Sequence, residues 1–194
     1  MILAVTGLER ERRMLAGPGV EVVAGGGDHL QLEGALDELA SAMDGIISIG
    51  IAGGLEPGLR PGRWVVADAV RDAGEAVPTD PEWTGRLARR LPRAAKGLLL
   101  GVDALVATAA QKAALHRTIG AIAIDMESHI AARIARRHCL PFVSARVISD
   151  AAHRTLPPAA RVGMRRDGRV DMSAVLKSLL AAPCLLYTSD AADE

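Results

Sequence analysis

Aromatic side chains are nearly missing from this sequence: one Tyr, one Phe and two Trp, 2% of 194 residues. That scarcity argues against a stacking platform for single-stranded nucleic acid. A surplus of either charge is absent too, with 23 basic and 23 acidic residues. A protein bound to nucleic acid by charge carries a basic surplus. Arg10-Glu11-Arg12-Arg13 and Arg165-Arg166 are short, interrupted runs that read as solvated surface. Cysteine is limited to Cys139 and Cys184, far apart, so neither a disulfide framework nor a metal-ligand spacing is present. The five histidines, His129 and His138 included, form no zinc motif, and no metal is expected. No apolar run approaches the ~20 residues of a membrane span, and Met1 to Val5 is too short and lacks the preceding basic residues of a signal peptide. A cytoplasmic protein is the expectation.

What is present is ordinary globular material, 49% hydrophobic and 24% charged. Strand and helix signals alternate along the chain. Ile2–Thr6, Val20–Ala24, Ile46–Ile49, Trp64–Ala67, Ala121–Ile124 and Phe142–Ile148 read as short buried strands. Gly97–Val106 reads as one or two strands broken around Gly101 and Asp103. Helices are predicted from an Asp28 N-cap through about Ala42, over Glu82–Arg90 behind Pro81, Ala109–Arg117, Met126 to about Arg137, and Met172–Leu180. This alternation predicts an α/β fold: three layers, α/β/α, around a mostly parallel, mixed central sheet. Residues 1–183 are expected to form one domain. The final stretch, 184–194, holds the sole Tyr and departs from the composition before it; it is similar to a translated sequencing adapter, with the natural chain cut near Pro183.

Ligands of open α/β sheets bind beyond the carboxyl ends of the strands. Several stretches fall there: Gly7 to Glu11, Gly25 to Asp28, Gly50 to Gly54, Asp125 to Ser128, and Ser149-Asp150. Each has two readings. Gly50-Ile51-Ala52-Gly53-Gly54 is either a tight turn or a set of backbone donors for an anion; it matches neither the dinucleotide fingerprint nor the P-loop. Asp125-Met126-Glu127-Ser128 is either helix capping or a functional carboxylate pair. Asp150 is either an N-cap or a site residue, and Glu11 either a helix-surface charge or a site residue.

Taken together, IISIGIAGGLEPGLRPGRWVVAD and AIDMESHIAARIARRHCLPFVSARVISDAA resemble the nucleoside phosphorylases and the methylthioadenosine/adenosylhomocysteine nucleosidases. VTGLERERRML, GGGD, GVDALVAT, IDMESH and LPPAARVGMR most resemble the hopanoid-associated phosphorylases within that superfamily. The resemblance implies cleavage of a purine–ribose bond, releasing adenine from adenosylhopane. A methylthioadenosine/adenosylhomocysteine nucleosidase, a purine nucleoside phosphorylase and a non-catalytic nucleotide-binding domain are the alternatives. By position, Asp150 would be the acid that protonates the leaving purine, oriented by Ser149. Glu127 would accept the ribose hydroxyls and Met126 pack on the sugar, together stabilising an oxocarbenium-like centre. Leu105 and Val106 would hold the base. Glu11 would position a water, and Gly7, Gly50 and Ile51 would lie near the nucleophile. No cofactor is implied, with phosphate as a conceivable co-substrate.

Four departures stand out. Ile51 replaces a serine or threonine that binds the nucleophile, leaving only backbone donors for phosphate. Leu105 replaces a base-stacking aromatic, and Asp125 replaces a glutamate. The hairpin before Val20 is shortened, which would open the pocket to a lipid-linked nucleoside. The resemblance also implies a homodimer or larger homo-oligomer.

Overall fold

The computed structural model describes residues 1–72 and 74–157. The helix expected over Met172–Leu180, most of LPPAARVGMR and the 184–194 tail lie outside the described residues. In chain order the elements are β1 (Ile2–Thr6), α1 (Glu9–Leu15), β2 (Val20–Ala24), α2 (His29–Ala40), β3 (Gly45–Gly54), β4 (Trp64–Arg71), β5 (Ala76–Pro78), α3 (Pro81–Arg90), β6 (Ala95–Gly101), α4 (Ala109–Ile119), β7 (Ala123–Asp125), α5 (Ser128–Arg137) and β8 (Phe142–Asp150). The α/β class and mixed sheet match the sequence expectation. Parallel pairs join β1 to β2 and β3, β3 to β8, β4 to β6, and β6 to β7. Antiparallel pairs join β3 to β7, and β4 to β5 and β8.

The sheet is not fully open. Because β8 pairs with both β3 and β4, strands β3, β8, β4, β6 and β7 close into a ring. Apolar, β-branched runs make this possible, since a strand with neighbours on both edges leaves no backbone group to water. The core gathers Leu3, Val5, Ile46, Ile130, Ile134 and Phe142, all buried. Full burial of such a side chain contributes about 1.5–3 kcal/mol.

Helix α2 starts where Asp28 accepts a hydrogen bond from Gln31 N at 3.1 Å. It lies against α5, burying Leu32 and Leu36, while ion pairs lace the seam outside. Arg133 reaches Glu33 at 2.9 Å and Asp72 at 3.4 Å; Arg137 reaches Asp37 at 3.0 Å. The hydrogen bond from Arg133 holds the Glu33 carboxyl below its ordinary range, against the opposing effect of burial.

Several boundaries differ from expectation. The Gly50–Gly54 segment is not a turn. It continues β3, pairing with β8 as far as Gly53↔Asp150 and with β7 at Gly53 and Gly54. Pairing with β8 through Gly53, taken over by β7 at Gly53 and Gly54, keeps it extended. Asp150 ends β8 as a strand residue, so the N-cap alternative fails. β4 runs on to Arg71 and hairpins into the short β5, which the Asp/Gly/Pro-rich sequence concealed. Only one strand, β6, occupies the Gly97–Val106 region, and α5 begins at Ser128 rather than Met126.

Candidate active site

Strand ends converge on a cavity of about 240 Å³, near the lower end for small-molecule sites. Gly7 follows β1; Ile51 and Gly53 come from β3; Leu105 and Val106 follow β6; Met126 and Glu127 follow β7; Ser149 and Asp150 end β8. Asp150 and Glu127, the two carboxylates on which the sequence reading depends, therefore share one cavity, 8% and 7% exposed. Glu11 and Gly50 do not line the cavity wall but sit directly behind it.

Adjacent strand residues normally face opposite sides. Here the register jumps from Ala52↔Ile148 to Gly53↔Asp150, leaving Ser149 as an extra residue in β8. This β-bulge lets Ser149 and Asp150 reach the same cavity. Ser149 Oγ lies 2.7 Å from Asp150 Oδ1 and 3.1 Å from the Ala52 carbonyl. Asp150 Oδ2 takes a salt bridge from Lys112, a wholly buried α4 residue that the sequence reading did not single out.

At the other end, Glu11 is more than a helix-surface charge. Its Oε2 accepts from Gly7 N at 3.1 Å and Leu8 N at 3.0 Å, and its Oε1 from Ile51 N at 3.1 Å. The backbone donors expected to meet phosphate at Gly7 and Ile51 are thus taken by a carboxylate. A carboxylate offers about four lone-pair sites, so one remains for a further donor.

Between Glu11 and Glu127 lies Arg146, fully buried in the middle of β8 and also missed from sequence. Its Nη2 meets Asp125 Oδ2 at 2.5 Å, Ser48 Oγ at 2.5 Å, Ser128 Oγ at 3.0 Å and Glu127 Oε2 at 3.7 Å. Its Nη1 is buried without a hydrogen-bond partner among the described residues. That atom explains Gly50: a Cβ there would lie 2.7 Å from Nη1 and 3.0 Å from Glu11 Oε1. Gly7 is constrained likewise, since its Cβ would stand 3.0 Å from Glu127 Oε1.

The Asp125–Glu127 pair divides its work. Asp125 takes the capping role, accepting from Ser128 N at 3.3 Å, and is the close partner of Arg146. Glu127 faces the cavity. Burial pushes its carboxyl up from 4.5 to about 7; Arg146 opposes the rise, while Asp125 and Glu11 add to it. No cluster of metal-ligating side chains occurs among the described residues.

A family model described as "Phosphorylase superfamily" matches residues 35–181, most of the chain. The chain belongs to the phosphorylase superfamily. A 5'-methylthioadenosine/S-adenosylhomocysteine nucleosidase from Treponema pallidum (strain Nichols) is 30% identical over 146 residues, covering 62% of this chain and 54% of that relative. The chain thus spans about half the length of that curated relative. Among solved structures, the Streptococcus pneumoniae nucleosidase with the transition-state inhibitor MT-ImmA superposes with a TM-score of 0.71 at 19% identity, over 94% of this chain and 99% of that one. The Colwellia psychrerythraea 34H nucleosidase with adenine gives 0.72 at 18% identity, over 93% and 94%. At such identities the likeness speaks to the fold alone. No helix among the described residues is long and apolar enough to cross a membrane.

Proposed function

We propose that this phosphorylase-superfamily chain hydrolyses the N-glycosidic bond of a 5′-substituted adenosine, releasing adenine. The observation that carries this reading is the placement of the Ser149–Asp150 pair and Glu127 on one apolar cavity with Glu11 and Arg146 behind it. Asp150 gives its proton to a purine ring nitrogen as the glycosidic bond breaks, and the bonding electron pair leaves with the base. The sugar becomes positive. A carboxylate whose charge is made costly by burial gains a counter-charge at that moment, which makes Glu127 more favourable in the transition state than before it. Water held by the free lone pair of Glu11 and by Arg146 Nη1 then adds to the sugar and yields its proton to Glu11.

Water is favoured over phosphate because Glu11 occupies the backbone donors at Gly7 and Ile51 and presents negative charge where an anion would sit. The name of the Treponema pallidum relative favours methylthioadenosine or adenosylhomocysteine as substrate. Adenosylhopane is the second reading: Ile51 and Leu105, 45% and 41% exposed, offer an apolar rim to a lipid-linked ribose. A homodimer or larger homo-oligomer is part of the same reading, and sedimentation of the protein tests for it. Adenine release from methylthioadenosine, with and without phosphate, tests the central proposal. Phosphate-independent adenine and free methylthioribose are expected, with Asp150→Asn slower by about 100-fold or more. A sugar 1-phosphate product, or full activity in Asp150→Asn, refutes it.

A further inference from the structure

Lys112 is the buried group that the proposed mechanism leaves unused. It lies in the first turns of α4, its side chain is entirely enclosed, and it is absent from the cavity wall. Its Nζ meets three acceptors: Asp150 Oδ2, the Ala151 carbonyl at 3.2 Å and the Arg154 carbonyl at 3.0 Å. An ammonium has three N–H donors and no acceptor, so this coordination uses all of them. Holding a charge in so enclosed a place requires a strong partner, because breaking a buried pair costs several kcal/mol. A lysine needed only to tie down residues 151–154 has no reason to aim at the cavity carboxylate read as the general acid.

We propose that Lys112 is the positioning residue of the acid: it fixes Asp150 Oδ2 as the charge-paired oxygen and leaves Oδ1 to carry and deliver the proton. The inference rests on the reading of Asp150 as general acid. Ser149 supplies the complementary half. Its hydroxyl has one proton and two acceptors within reach, Asp150 Oδ1 and the Ala52 carbonyl. Before the transfer Ser149 donates to the Ala52 carbonyl, leaving the Oδ1 proton free to point at the purine. When the Oδ1–H bond breaks and a purine N–H bond forms, the glycosidic electron pair passes to the ring. Ser149 then turns to donate to the ionised Oδ1, and the Lys112 ammonium balances the new negative charge on Asp150. Lys112 thereby makes the conjugate base less costly at the step that creates it.

The test is the pH dependence of kcat in the full chain with methylthioadenosine. Lys112→Met should lower kcat by about tenfold or more, leave KM within about threefold, and move the alkaline limb of the kcat profile to higher pH. In the Asp150→Asn background the same substitution should cause no further fall in kcat. Lys112→Arg, which keeps the charge, should hold the alkaline limb at the wild-type position, and Lys112→Gln, which removes the charge, should move it as the methionine variant does and replaces that variant if it does not fold. A limb unmoved in Lys112→Met, a limb moved in Lys112→Arg, or additive losses in the double variant overturn the proposal. Full activity in Asp150→Asn overturns the functional reading itself. An inactive Asp150→Asn beside a wild-type limb in Lys112→Met removes the positioning role alone.

Discussion

Replacing Glu127 by Gln should make the protein more stable at pH 8 while removing the carboxylate proposed to grip the sugar. The carboxyl is 7% exposed, and burial raises it from 4.5 to about 7. At about 1.4 kcal/mol for each tenfold change in proton affinity, that rise corresponds to about 3 kcal/mol. The sign follows from proton linkage. Between 4.5 and about 7 the folded chain binds a proton that the unfolded chain has released, so stability from this group is complete below 4.5 and lost as pH climbs through about 7. Glutamine has nearly the same shape and no charge to bury. The 3.7 Å contact with Arg146 is given up, yet Arg146 keeps Asp125 at 2.5 Å. In a domain of this size about 3 kcal/mol amounts to roughly 6–12 °C in Tm. Calorimetric scans of both proteins at pH 5 and pH 8 should show a Tm gap that opens only at the higher pH. A constant gap, or a variant less stable at pH 8, refutes the assignment of a destabilising buried charge. The same titration should appear in catalysis, with wild-type kcat/KM rising as pH passes through about 7 and Glu127→Gln lacking that limb.

Two more substitutions probe the nucleophile end. Gly50→Ala should cost about 1–3 kcal/mol, read from chemical denaturation, because its Cβ would press on Arg146 Nη1 and the Glu11 carboxylate. Glu11→Gln should lower kcat for adenine release by about 100-fold or more, with KM changed much less, in stopped assays of methylthioadenosine turnover; an unchanged kcat would remove Glu11 from the handling of water.

Much of this arrangement was legible in the chain because its signals are local. Asp28 at the mouth of α2 and Pro81 at the start of α3 are capping positions read from one turn of sequence. Met126-Glu127 and Ser149-Asp150 stood out as polar residues at strand ends, resemblance gave them roles, and the structure sets both pairs on one cavity. What escaped was set by partners distant in sequence. Nothing near Phe142 says that β8 will pair with β4 as well as β3, so the closure of the ring and the extended state of Gly50–Gly54 were invisible. Lys112 sits among alanines with no motif around it. Arg146 did leave a trace: an arginine interrupting an apolar strand cannot stay buried without an acid and hydroxyls, and Asp125, Ser48 and Ser128 are those groups.

The extra residue at the end of β8 makes the strand's length, as much as its residue identities, a condition for the arrangement at its tip. Removing a single residue between Ile148 and Ala151 would restore regular pleating, and the alternation that follows would turn one member of the hydroxyl–carboxyl doublet away from the cavity. Point substitutions at neighbouring positions preserve that spacing, whereas a one-residue deletion would displace the Asp150 carboxyl without altering that side chain itself.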